Sequence, residues 1–235
     1  MNNSASGFIY GINFQNSISP TMSETIKFHD QNILILIVIG CLVGGTILML
    51  WLNSFSSLDF VDSKGLEFGW TILPVVILVS LAMPSLELLY YLEWPHNMEI
   101  IAEIKATGMQ WYWHYELTLL STGENFSFDS YMLNGEIEED KSGFRLLEVD
   151  LPVIAPHLTV MDLNVTGGDV IHSFAIPTLG IKMDGVPGRL NKGNFLAQKV
   201  GSYYGQCSEI CGANHSFMPI NLEVMPRETF LKFFE

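Results

Sequence analysis

Two thiols, an imidazole and a thioether fall within twelve residues of this 235-residue chain, in Cys207-Ser-Glu-Ile-Cys211-Gly-Ala-Asn-His215-Ser-Phe-Met218. Thiolate, imidazole and thioether together form the soft donor set that selects copper, and a weak methionine is the usual last ligand of copper electron-transfer sites. A one-copper site of that kind needs one cysteine and two histidines. Here a second cysteine is available, which allows two thiolates to bridge two coppers. One further histidine is then required, and Asp169-Val-Ile-His172-Ser-Phe174, with its histidine 35 positions before Cys207, supplies it. Two other chemistries use part of the set. A Cys207–Cys211 disulfide suits an oxidising compartment but leaves His215 and Met218 without a role. A zinc site uses the cysteines and histidines and gains nothing from Met218. The third cysteine, Cys41, lies inside an apolar run and reads as a packing residue. His29, His96, His114 and His157 have no soft neighbour and read as surface or structural.

These residues sit on a loop between a Tyr203-Tyr204-Gly205 turn and a strand over 220–224. The region that must hold the loop, 93–235, is built of short alternating segments. Trp111, Trp113, Tyr115, Leu117 and Leu119 alternate with polar partners, as do Met161, Leu163 and Val165, and Leu147 and Val149. Turn signals at Thr122-Gly123, Asn134-Gly135, Gly167-Gly168 and Pro187-Gly188 punctuate them, which argues a β-sandwich or barrel. An amphipathic tail, 226–235, closes the domain as a helix.

The amino-terminal part is of another kind. Residues 33–52 form twenty residues without a charge, enough at about 1.5 Å each to span a bilayer core of about 30 Å. A second uncharged run covers 68–86 and carries Pro74 and Pro84, which membrane helices tolerate. Trp51, Trp70, Tyr90, Tyr91 and Trp94 lie near the ends of these runs, where aromatic belts form. The expected architecture is therefore membrane-anchored all-β: a polar tail over 1–30, a transmembrane hairpin over 31–92 with helices at about 31–52 and 68–92, and a β-domain over 93–235. The short connector puts both ends on one side. One lysine on each side leaves the positive-inside rule silent about which. Acidic residues number 25 and basic ones 11, a net charge of −14, so nucleic acid is excluded as a partner and a basic protein is favoured.

The motifs also resemble those of subunit II of the respiratory cytochrome c oxidases. They are Trp70-Thr-Ile-Leu-Pro74, Pro84-Ser-Leu, Gln110-Trp-Tyr-Trp113, Phe128-Asp-Ser-Tyr131, Leu146-Leu-Glu-Val-Asp150, Pro187-Gly-Arg-Leu190 and Tyr203-Tyr-Gly-Gln-Cys-Ser-Glu-Ile-Cys211. The resemblance implies a cupredoxin-like barrel holding a binuclear copper centre, Cu-A. Its ligands would be His172, Cys207, the backbone carbonyl of Glu209, Cys211, His215 and Met218. The Glu209 carboxylate would bind Mg2+ shared with subunit I, a hard ligand for a hard ion. Trp111 would be the point of electron uptake, the plainer alternative being barrel core alongside Trp113. Glu67 would mark the mouth of a proton path, the alternative being an interfacial carboxylate at a helix start. Subunits I and III and cytochrome c are the implied protein partners. The implied location is the mitochondrial inner membrane, with the carboxy-terminal domain in the intermembrane space.

From residue 93 onward, nineteen acidic residues face nine basic ones, which suits a basic electron carrier. Glu116, Asp129, Asp150 and Asp169 match positions implicated in docking. Two departures stand out. Glu87 occupies a position where relatives often carry a basic residue, and Phe174 stands where a tryptophan is expected after His172-Ser. The competing reading is a membrane-tethered copper chaperone, which would have one helix and no His-x-x-Met directly after its cysteines.

Overall fold

The computed structural model describes residues 13–56, 62–92, 99–133 and 144–234, in two compact units, 24–92 and 1–23 with 93–235. The Asn134-Gly135 turn and His96 lie outside the described residues.

The first unit is helical. α1 (Pro20–Leu52) is 33 residues long, about 50 Å at the α-helical rise. It begins well before the apolar block because Ser19 caps it: its hydroxyl accepts the Met22 N–H at 3.0 Å, and Pro20 takes the first helical position, where a missing N–H costs nothing. The tail expected over 1–30 therefore gives way to helix from Pro20. α2 (Lys64–Leu92) likewise starts four residues before the uncharged run, behind Ser63. Both helices are long and apolar enough to cross a membrane, and their Leu, Ile and Val side chains face outward. That exposure is what lipid-facing helices require. A cleft of about 120 Å³ is lined by Glu24, Lys27, Phe28 and Gln31 of α1 and by Pro84, Glu87, Leu88 and Tyr91 of α2. The start of one helix thus lies beside the end of the other, and the pair is antiparallel. Glu87 shares this cleft with the Lys27–Glu24 ion pair, closed at 2.6 Å.

The second unit is a β-sandwich. β3 (Asn125–Ser130), β2 (Tyr112–Leu119), β1 (Ile100–Met109), β5 (Val160–Gly167) and β8 (Asn191–Leu196) form one sheet in that order. β4 (Val153–Pro156), β10 (Pro219–Met225) and β9 (Gly201–Gln206) form a second. β6 (His172–Ile176) pairs with β7 (Ile181–Gly185). Two pairings, β1 with β5 and β10 with β4, are parallel. Strict alternation along β2 sends Trp113, Tyr115, Leu117 and Leu119 inward, where they meet Met161, Leu163 and Val165 of β5 and Ile220, Leu222 and Val224 of β10. β6 is buried along its whole length. Phe174 on it packs edge-on against Trp113 and Tyr115, with ring centres 5.4 and 6.4 Å apart, and so fills the expected tryptophan's place in the core.

The chain just before α1 belongs to this unit. Ile18 is 2% exposed, donates its N–H to the Thr178 carbonyl and accepts from Gln198 N–H. The Ser19 hydroxyl donates to the Leu179 carbonyl at 2.6 Å. At the other end, α3 (Arg227–Leu231) buries Phe230. The alternation at Leu147 and Val149 does not produce a strand. Leu146 takes a φ of +65°, and Val149 makes a single bridge to Met132. The polar residues beside them are engaged away from any ladder: Glu148 accepts from Phe144 N–H and Tyr204 hydroxyl, and Asp150 from Tyr131 and Leu151 N–H.

Candidate metal centre

All six residues of the expected ligand set converge. Cys207 Sγ lies 3.9 Å from His172 Nδ1 and 3.3 Å from the Glu209 carbonyl oxygen. Cys211 Sγ lies 3.5 Å from His215 Nδ1 and 3.5 Å from Met218 Sδ. The ligating atoms of His172, Cys207 and Cys211 all fall within 4.8 Å of one another. Local structure explains how. β6 begins at His172, whose side chain is completely buried. β9 ends at Gln206 and releases the ligand loop, and β10 recaptures the chain at Pro219, right after Met218. Both cysteines are free thiols, so the pair is not a disulfide.

The donor chemistry fits a soft cation. Burial drives the Cys207 thiol up, but His172, the backbone at Ser173 and Glu209, and His215 outweigh it and bring it down to about 6. Burial, reinforced by the neighbouring Cys207 thiolate, pushes Cys211 up to about 12. Two thiolates in one buried pocket thus need a cation between them, and copper or zinc would serve. The Met218 thioether, 1% exposed and aimed at Cys211, favours copper.

His172 is oriented from behind. Its Nε2 donates to Asp169 Oδ1 at 2.8 Å. An ionised carboxylate only accepts, so the proton sits on Nε2 and Nδ1 is left for a metal. Burial lowers the basicity of this ring, yet bonds to Cys207 and Asp169 prevail and raise it. Asp169 also accepts the N–H groups of Val170 and Gln110, at 2.6 and 2.7 Å. Burial of the carboxyl raises its pKa, but bonds from His172 and these two N–H groups hold it below the ordinary range. The Asp-x-x-His spacing carried the signal for this support; the expectation that Asp169 serves docking passed over it. The other docking candidates are also engaged: Glu116 by Lys105 at 2.6 Å, Asp129 by His114 at 2.7 Å, and Asp150 by two backbone N–H groups.

The two tryptophans separate. Trp113 is wholly buried on β2, whereas Trp111 lies before that strand, in the β1–β2 turn, and is only partly buried. Its Nε1 donates to the Cys211 carbonyl at 3.2 Å. Two glycines make room for these contacts. A Cβ at Gly108 would stand 2.6 Å from His172 Cβ, and at Gly212, where φ is +117°, it would stand 3.2 Å from Trp111 Cζ2. Glu67 is exposed in the first turn of α2, where a negative charge complements the helix dipole.

Comparison with known proteins decides the family. The profile "Cytochrome C oxidase subunit II, periplasmic domain" matches residues 102–225, and "Cytochrome C oxidase subunit II, transmembrane domain" matches 7–88. The chain belongs to the cytochrome c oxidase subunit II family. Cytochrome c oxidase subunit 2 of Drosophila ambigua is 47% identical over 222 residues, 94% of both chains. That of Simulium vittatum is 47% identical over 221 residues, again 94% of both. Among solved structures, the periplasmic domain of subunit II of cytochrome oxidase from Bradyrhizobium japonicum is similar, at 46% identity and a TM-score of 0.50. The match covers 57% of this chain and 91% of that one. The β-domain is therefore cupredoxin-like, and the family is a copper-binding one of membrane-anchored electron-transfer subunits. Two apolar helices and a family match over both regions leave no place for the single-helix chaperone.

Proposed function

We propose that this chain takes electrons one at a time from reduced cytochrome c and hands them to the haem of subunit I, using a binuclear Cu-A centre held by His172, Cys207, the Glu209 carbonyl, Cys211, His215 and Met218. The observation that carries the reading is the convergence of six donors from two separate segments on one buried pocket. Copper held by these residues would supply a one-electron acceptor. The protein's own part is to keep that pocket dry and fixed. Trp113, backed by Phe174, packs against His172 on the core side, Asp169 keeps the His172 proton on Nε2, and β9 and β10 pin the two ends of the loop.

In this reading Trp111 takes up the electron, and its indole N–H on the Cys211 carbonyl joins it directly to a ligand peptide. The Glu209 carboxylate binds Mg2+ at the seam with subunit I, and Glu67 marks the mouth of a proton path. Oxygen is reduced to water in subunit I, coupled to proton translocation, with subunit III as a further partner. The chain resides in the mitochondrial inner membrane with its β-domain in the intermembrane space, where its acidic surface raises the encounter rate with a basic carrier.

Cys211→Ser tests the proposal. Removing one thiolate of the pair should abolish cytochrome c oxidation while leaving the helical hairpin inserted. Normal oxidation of cytochrome c by that variant in the assembled oxidase would refute it.

A further inference from the structure

The turn between β1 and β2 sends two side chains to one atom. Gln110 Nε2 donates to the Cys211 carbonyl oxygen at 2.8 Å, and Trp111 Nε1 donates to the same oxygen at 3.2 Å. A carbonyl oxygen has two lone pairs. With the carboxamide seated on one, the indole is confined to the other. The Gln110 main chain is held as well, because its N–H reaches Asp169 Oδ2 at 2.7 Å while Oδ1 of that carboxylate takes the His172 proton. Gln110 therefore spans two ligand segments, His172 through Asp169 and Cys211 through its own carbonyl. Gly212 leaves the adjoining space bare, since a Cβ there would lie 3.3 Å from Gln110 Nε2.

We infer that Gln110 is a positioning residue for electron uptake: its carboxamide, seated on the Cys211 carbonyl, holds the Trp111 ring against the ligand loop. The inference rests on the proposed role of Trp111. The indole N–H and the Cys211 carbonyl form a hydrogen-bonded path from ring to ligand, and electron tunnelling falls steeply as such a contact opens. Gln110 acts through Trp111: it keeps that contact closed.

The test uses the intact oxidase with Gln110→Met, which matches the length and removes the donor, and Gln110→Glu, which sets an acceptor against the carbonyl oxygen. Each is made alone and with Trp111→Phe. The readouts are the single-turnover rate of electron transfer from bound reduced cytochrome c, the Kd for cytochrome c, and the paramagnetic resonance spectrum of the copper. We expect the bound-state rate to fall about fivefold or more, as loss of one hydrogen bond allows, with Kd and spectrum unchanged. In the Trp111→Phe background the Gln110 changes should add nothing, because contacting residues that act as a unit are not additive. Equal losses in both backgrounds, or a weaker Kd with an unchanged bound-state rate, would overturn the inference. So would a slow Trp111→Phe beside a normal Gln110→Met, which leaves the role of Trp111 standing. A normal Trp111→Phe would remove that role, and the inference with it.

Discussion

Asp169→Asn separates two uses of one carboxylate. The substitution keeps the side chain's size and one acceptor oxygen and removes the charge. In the structure that carboxylate accepts three N–H groups, from His172 Nε2, Val170 and Gln110, at 2.6–2.8 Å. An amide offers one oxygen in place of two, so its NH2 must confront one of these donors. The His172 side chain is 0% exposed, so water cannot replace the lost partner, while the Asp169 side chain is 30% exposed. Removing the carboxylate behind a ligating histidine weakens metal affinity by about 10–100-fold, or about 1.4–2.8 kcal/mol. Removing a charge at the rim of a docking face acts mainly on the association rate and its salt dependence. The assay titrates the purified oxidase with a copper chelator and, in parallel, measures the Kd for cytochrome c at several salt concentrations. Half-loss of copper should come at about 10–100-fold lower chelator, with Kd changed by less than about threefold. Unaltered copper retention together with weakened cytochrome c binding would refute the orienting role.

Three further outcomes follow from the geometry. Gly212→Ala places a Cβ against Trp111 at a φ of +117°; it should destabilise the β-domain by about 1–3 kcal/mol and slow electron uptake, read as a lower melting temperature and a lower single-turnover rate. Tyr115 is buried, its hydroxyl has no hydrogen-bond partner among the described residues, and burial holds the phenol well above its usual pKa. Tyr115→Phe should therefore stabilise by about 1 kcal/mol at neutral pH. A phenol raised in the folded state loses its contribution as pH passes the unfolded value of about 10, so above that pH the wild type should lose more stability than the variant, which keeps the raised phenols of Tyr203 and Tyr204; thermal inactivation at neutral and alkaline pH checks both. Ser19→Ala removes the cap on Met22 N–H and the bond to the Leu179 carbonyl. It should cost about 1–2 kcal/mol locally, seen as faster amide exchange at Met22.

The hairpin was legible because two long uncharged runs have few other physical solutions, and the ligand set because its soft donors are crowded into one loop with a histidine upstream. The start of α1 was less so. Apolar length marks where a helix can sit in lipid, whereas the helix itself begins at a cap, and Ser19-Pro20 was that signal. Alternation misled at Leu147 and Val149, since Glu148 and Asp150 satisfy neighbouring backbone and a positive φ at Leu146 turns the chain. It also grouped Trp111 with Trp113, because period-two patterning cannot show that a strand starts at Tyr112 and leaves Trp111 in a turn. The parallel pairings of β1 with β5 and β10 with β4 join segments far apart in sequence, which no local pattern records. The engagement of Asp169 and Gln110 depends on those pairings, so it emerged only with the fold.

The central claim, that these six residues hold a shared two-copper centre, is tested most directly by copper analysis and paramagnetic resonance on the intact oxidase, with the Cys211→Ser form as reference. Two coppers in this chain, with hyperfine splitting shared over both nuclei, are expected, together with loss of that shared pattern in Cys211→Ser. A single copper with one-nucleus splitting, or no copper at this pocket, would contradict it.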